Sequence, residues 1–183
     1  MTSKSSGPLT FRPPSSSSAT ASSFAKPSTE FIKGPWHVTH STLPMWKKNK
    51  NVVITYTPLE SPPGGIDDLV QYNPIDSDKQ KTGEGIDKPD PSVEAAYNWR
   101  GKGWLKVASS HWEVLGYGEH DGGWMVTFFE KTLFTPAGID IYARRKGDLS
   151  ENLIEQIRAE MKKVNDPDFQ QQADQIFEIK HEW

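Results

Sequence analysis

Between Ala95 and Arg144 the chain alternates apolar runs with short glycine-bearing segments, and this rhythm leaves few folds open to it. Ala95 to Trp99, Trp104 to Leu115, Trp124 to Lys131 and Ile139 to Arg144 are rich in aromatic and β-branched residues, which favour strands. The segments between them are Arg100-Gly101-Lys102-Gly103, Glu119 to Gly123 and Thr135-Pro136-Ala137-Gly138. They are too short for a crossover helix, so successive strands must run antiparallel. In Trp124-Met125-Val126-Thr127-Phe128-Phe129 neither alternating set is wholly polar. A sheet wet on one face alternates cleanly. A barrel with a lined interior and a helix packed outside does not.

Upstream, Trp36 to His40, Asn51 to Thr57 and Leu69 to Tyr72 read as further strands. The polar stretch 73–92 carries many charges and turn formers, and it reads as a long loop, a lid or an insertion. Downstream, Asp148 with Glu151 has the spacing of a capping box. Leu153, Ile154, Ile157, Met161 and Val164 form one helical stripe near 149–164. Asp166-Pro167 starts a second short helix carrying Phe169, Ala173, Ile176 and Phe177. Helices that follow all the strands indicate an antiparallel sheet. The expected fold is mainly β: an antiparallel up-and-down barrel over residues 30–183, with C-terminal helices packed outside. Residues 1–29 are mostly Ser, Thr and Pro, and such a segment gains too little burial to offset its ordering entropy. It reads as a disordered, dispensable arm.

A chain of 183 residues suits one domain. Its net charge of −3 speaks against a nucleic-acid binder, which needs a basic face. It has no cysteine, which removes thiolate chemistry and disulfides and fits a reducing compartment. No run of about 18 apolar residues is present, so no membrane span is expected. No apolar secretory leader is visible either. A cytoplasmic location is therefore expected. Seven Trp in so short a chain is a high count, more than core filling needs, and Trp suits the walls of a ligand pocket.

Gly34-Pro35-Trp36 opens the first strand of this meander, and Arg144 or Arg145 lies at the end of the last. This layout resembles the lipocalin and wider calycin families, whose first strand begins Gly-x-Trp and whose late Arg packs over that Trp. The resemblance spans about residues 31 to 165 in layout but few residues by motif. It implies a structural pairing of Trp36 with Arg144 or Arg145. The Thr-Asp-Tyr turn, signal peptide and disulfide of many secreted lipocalins are missing. The chain looks more like the intracellular lipocalin-like proteins of microbes and fungi. Some of those are carriers and some are enzymes, including decarboxylases and cyclases, and the likeness extends to a place in secondary metabolism.

Strand alternation then nominates residues. If Trp36 faces inward, so does His40, as a polar handle; the other reading places it at the rim or on a neighbouring strand. If Arg144 covers Trp36, Tyr142 and Asp140 also point inward, and a carboxyl in a dry cavity can act as acid or base. The alternative turns Ile139 and Ile141 inward. Arg100 completes a candidate catalytic set of His40, Asp140, Tyr142 and Arg100. Trp46, Tyr56, Trp99, Trp104, Trp112, Trp124 and Phe128 are expected to wall the pocket. His37 and His40 form H-x-x-H, but residues three apart on a strand face opposite ways, so no metal site is expected. Ser109 and His111 lack a third orienting group for nucleophilic catalysis. No cofactor is expected.

Three functions fit this reading. A carrier would bind a small apolar or aromatic metabolite and leave it unchanged. A cofactor-free cyclase, isomerase or decarboxylase would place an acid or base deep beside apolar walls. An interaction protein would have a filled barrel and a large exposed apolar patch. The chain is expected to act as a monomer or homodimer.

Overall fold

The computed structural model describes residues 9–17 and 24–182. A single helical turn, α1 (Thr29–Ile32), leads into eight strands: β1 (Gly34–Ser41), β2 (Asn49–Pro58), β3 (Ile66–Pro74), β4 (Lys81–Pro89), β5 (Ala96–Gly101), β6 (Ser109–Gly118), β7 (Trp124–Phe129) and β8 (Gly138–Ala143). Each strand pairs antiparallel with the next. β8 returns to β1, so the sheet closes as an up-and-down barrel. The helices α2 (Glu151–Lys163) and α3 (Pro167–Ala173) follow, as the pattern predicts. The cap of α2 is Ser150, two residues past the expected Asp148: its hydroxyl accepts from the Leu153 amide.

Two strand assignments need correction. The stretch 73–92 is not a loop, because β3 runs to Pro74 and β4 occupies Lys81–Pro89. The inward positions of β4 are Gly83, Gly85 and Asp87, so the strand has no hydrophobic alternation to read. A side chain at Gly85 would occupy the space of the Trp99 indole, and one at Gly83 would touch Leu105. Neighbouring strands supply the bulk that β4 lacks. The second correction is at 104–115. The chain turns first through a 3₁₀ segment, Gly103–Val107, entered by Gly103 at φ +56, and β6 starts only at Ser109.

The apolar residues form two cores on the two faces of the barrel wall. Inside lie Trp36, Val38, Ile54, Tyr56, Trp112, Val114, Met125 and Tyr142. Outside, Trp124, Val126, Phe128, Ile139 and Ile141 meet Leu153, Ile157 and Met161 of α2 and Phe169 of α3. This is why β7 is apolar on both faces and β8 is buried on both. Each fully buried aliphatic side chain contributes roughly 1.5–3 kcal/mol of burial.

One end of the barrel is shut. The Arg144 guanidinium lies 3.5 Å from the centre of the Trp36 ring, and the Trp36 Nε1–H donates to the Ile32 carbonyl of α1. The pairing that the Gly-x-Trp resemblance implies is present, with Arg144 as the partner rather than Arg145. At the other end β1 and β2 part, and the short strand β9 (Phe177–Glu178) lines up beside His40 and Ser41.

The expected arm is partly described. Phe11 bridges to Gly116, where β5 has ended and β6 has a free edge, and the Arg12 amide donates to the Leu115 carbonyl. Arg12 is buried there against Glu113. Residues 9–17 thus lie against the barrel wall, which composition alone does not reveal. The expectation of disorder for 1–8 and 18–23 falls outside the described residues. No described helix is long and apolar enough to cross a membrane.

Candidate functional site

The open end leads into a cavity of about 350 Å³. Its mouth is made by the 3₁₀ segments Pro44–Lys48 and Gly103–Val107 and by the β7–β8 connection, through Met45, Leu105, Thr132 and Phe134. Deeper walls come from Trp46, Tyr56, Trp99, Trp112 and Phe129. Tyr56 and Tyr97 both stack on Trp112, at centroid separations of 5.5 and 4.7 Å. Trp46 meets Tyr72 edge to face. Around the mouth Met45, Trp104, Val107, Leu133 and Phe134 are exposed.

Of the seven nominated wall residues, Trp46, Tyr56, Trp99 and Trp112 line this cavity. Trp104 is 83% exposed on the 3₁₀ segment at the rim. Trp124 and Phe128 sit on the outer face of β7 under the helices. The seven-Trp argument places too many indoles inside, because an outer core and a rim also take them.

The polar nominations separate in the same way. Asp140 and Tyr142 point inward from β8, as the Arg144 parity requires. His40 does not. The ladder between β1 and β8 slips between Val38 and His40, and this bulge turns His40 to the outer face, opposite Ile141. There it lies near Glu178 and Arg158, and burial holds its pKa below the usual value. Arg100 is exposed on the outside of β5. Among the described residues no group of His, Asp or Glu is arranged to hold a metal ion.

Two carboxyls that the sequence reading missed complete the site. Asp68 of β3 lines the cavity, and Asp87 of β4 lies behind Trp112, accepting its Nε1–H at 2.7 Å. Both are buried, and one oxygen of each, Asp68 Oδ1 and Asp87 Oδ2, has no hydrogen-bond partner among the described residues. Asp140 accepts from the Ser41 hydroxyl. The Tyr142 hydroxyl lies beside those of Tyr56 and Thr127. Their one advance signal was parity: Asp68 alternates with Ile66 and Val70, and Asp87 with Gly85.

Burial sets the ionisation of these acids. Desolvation lifts the Asp68 carboxyl well above the usual range, with Asp87 adding to the rise. It pushes Asp87 and Asp140 up to about 7, against the hydrogen bonds from Trp112 and Ser41. A carboxyl whose folded pKa is raised binds its proton more tightly folded than unfolded. Stability should therefore fall as pH rises from about 4 to about 7, by up to roughly 1.4 kcal/mol per pH unit from Asp140. Asp140→Asn should flatten part of that slope in urea titrations at several pH values. A slope unchanged by the substitution would mean that Asp140 is ionised throughout.

No protein-family model matches the sequence, and no curated protein matches it as a relative. The class defined by the fold is a closed, eight-stranded antiparallel up-and-down barrel.

Proposed function

We propose that this protein binds a small, largely apolar or aromatic molecule inside the barrel, in the manner of an intracellular lipocalin-like carrier. The supporting observation is the aromatic-walled cavity of about 350 Å³, reached from one end and shut at the other by Trp36 and Arg144. A hollow of that size suits a ligand of two or three fused rings. Exposed apolar side chains at the mouth give such a ligand a dry path inward. Titration with the neutral probe N-phenyl-1-naphthylamine should quench Trp fluorescence, because the ligand would rest against Trp99 and Trp112. Native mass spectrometry of protein purified from its own host would identify the ligand. No quenching, together with only the bare chain mass, would sink the reading.

A second reading, a cofactor-free enzyme on such a molecule, is favoured by one observation. Asp140 is an acid with a pKa near 7, held by Ser41 among apolar walls, as proton transfer at neutral pH requires. Asp140→Asn and Tyr142→Phe would then abolish turnover of the identified ligand and spare its binding. In a carrier they would change affinity alone. His40 and Arg100 lie outside the barrel and take no part in this chemistry.

A further inference from the structure

We propose that the molecule held in the barrel carries a protonated nitrogen, bound by Asp68 with Asp87 behind it and packed among Tyr56, Trp99 and Trp112. The inference rests on the cavity reading above and specifies its ligand class: a flat aromatic or apolar amine.

Charge is the first support. Asp68 and Asp140 both line the cavity, and Asp87 adjoins it behind Trp112. No Lys, Arg or His side chain lines it among the described residues. The charges acting on Asp68 are those of Asp87 and Asp67, both acids. A buried carboxylate is ordinarily paired, since an unpaired one is strongly disfavoured in an apolar setting. Here the protein supplies no cation, so burial keeps Asp68 protonated in the empty barrel, and a ligand ammonium is the partner that would let it ionise. The second support is independent of charge. Asp68 lines the hollow at 7% exposure, and its buried Oδ1 has no partner among the described residues. A ligand donor in the hollow would supply the partner that this carboxyl lacks. The third support is the wall. Electron-rich aromatic rings attract a cation, and Tyr56, Trp99 and Trp112 line the hollow together with the carboxyl.

The carboxyls are on separate strands and form no metal-holding group, so a bare divalent ion does not satisfy the arrangement. A ligand anion is repelled. A neutral hydroxyl or carbonyl could hydrogen-bond to Asp68, but it forgoes the ion pair.

Three isosteric probes test this on the full chain: 2-naphthylmethylamine, 2-naphthalenemethanol and 2-naphthoate, each followed by Trp quenching at pH 8. The amine should bind at least about ten-fold tighter than the alcohol, as a charge-assisted hydrogen bond implies, with the carboxylate weakest. In Asp68→Asn the preference for the amine should shrink to under about three-fold, while the alcohol retains its affinity. An alcohol or carboxylate that binds the unmodified protein as well as the amine does overturns the proposal, and that ranking needs no variant. A preference unchanged in a folded Asp68→Asn, judged by circular dichroism, also overturns it. Binding by none of the three probes would instead remove the cavity reading itself.

Discussion

Replacing Trp36 with Ala is expected to cost about 3–5 kcal/mol, the scale of a large aromatic truncation in a core. Trp36 is fully buried. Its Nε1–H satisfies the Ile32 carbonyl at 2.8 Å, and its ring carries the Arg144 guanidinium at 3.5 Å. Arg144 in turn donates to the Pro35 carbonyl at 3.0 Å and to the Phe31 carbonyl. One indole therefore joins α1, the start of β1 and the end of β8. Removing it leaves a cavity, an unpaired carbonyl and a cation without its aromatic face. Desolvation already lowers the Arg144 pKa to about 10, so this cation depends on the partners it has. Urea unfolding should show the loss, and Trp36→Phe should lose less because it keeps part of the volume. A loss below about 1 kcal/mol would show that Trp36 does not hold the closed end together.

The features that were legible before the structure share a physical cause. β7 announces itself because both its faces are apolar, and both are in fact buried, one inside the barrel and one under α2 and α3. The α2 stripe works for the same reason: Leu153, Ile157 and Met161 all bury. Asp140 and Tyr142 follow from Arg144 by strict two-residue parity, and β8 has no bulge to disturb it. His40 fails because β1 does have one. A one-residue slip reverses every later side chain, and nothing in Trp36-His37-Val38-Thr39-His40 marks where it falls. β4 stays hidden because its inward residues are two glycines and an aspartate. Their sense lies in Trp99, on a different strand. Asp68 and Asp87 are missed with it, since a carboxyl in a polar stretch looks solvated until the neighbour that buries it is known.

Residues 9–17 lead to the other large effect. Arg12→Ala is expected to destabilise the protein by about 3–5 kcal/mol, as breaking a buried ion pair from one side does. Glu113 occupies an outward position of β6, between Trp112 and Val114, and would be solvated if the wall were bare. Its side chain is instead fully covered by the N-terminal segment. The guanidinium of Arg12 stands 3.0 Å from its carboxylate, and Arg12 Nε–H donates to the Val114 carbonyl at 2.8 Å. Ser15 donates to the same carboxylate through its amide and its hydroxyl. Phe24 stacks on the other side of the guanidinium, 4.8 Å away. Without Arg12 the carboxylate stays covered and loses its countercharge. Paired replacement, Arg12→Met with Glu113→Gln, should recover much of the loss, because no charge is then stranded. Deleting residues 1–17 re-exposes Glu113 to water but strips the cover from Leu115 and from the open edge of β6. Its expected fall in melting temperature is on the order of 6–20 °C. A dispensable arm predicts no change at all, so one thermal scan of the truncated chain separates a tether from a ninth piece of the barrel wall.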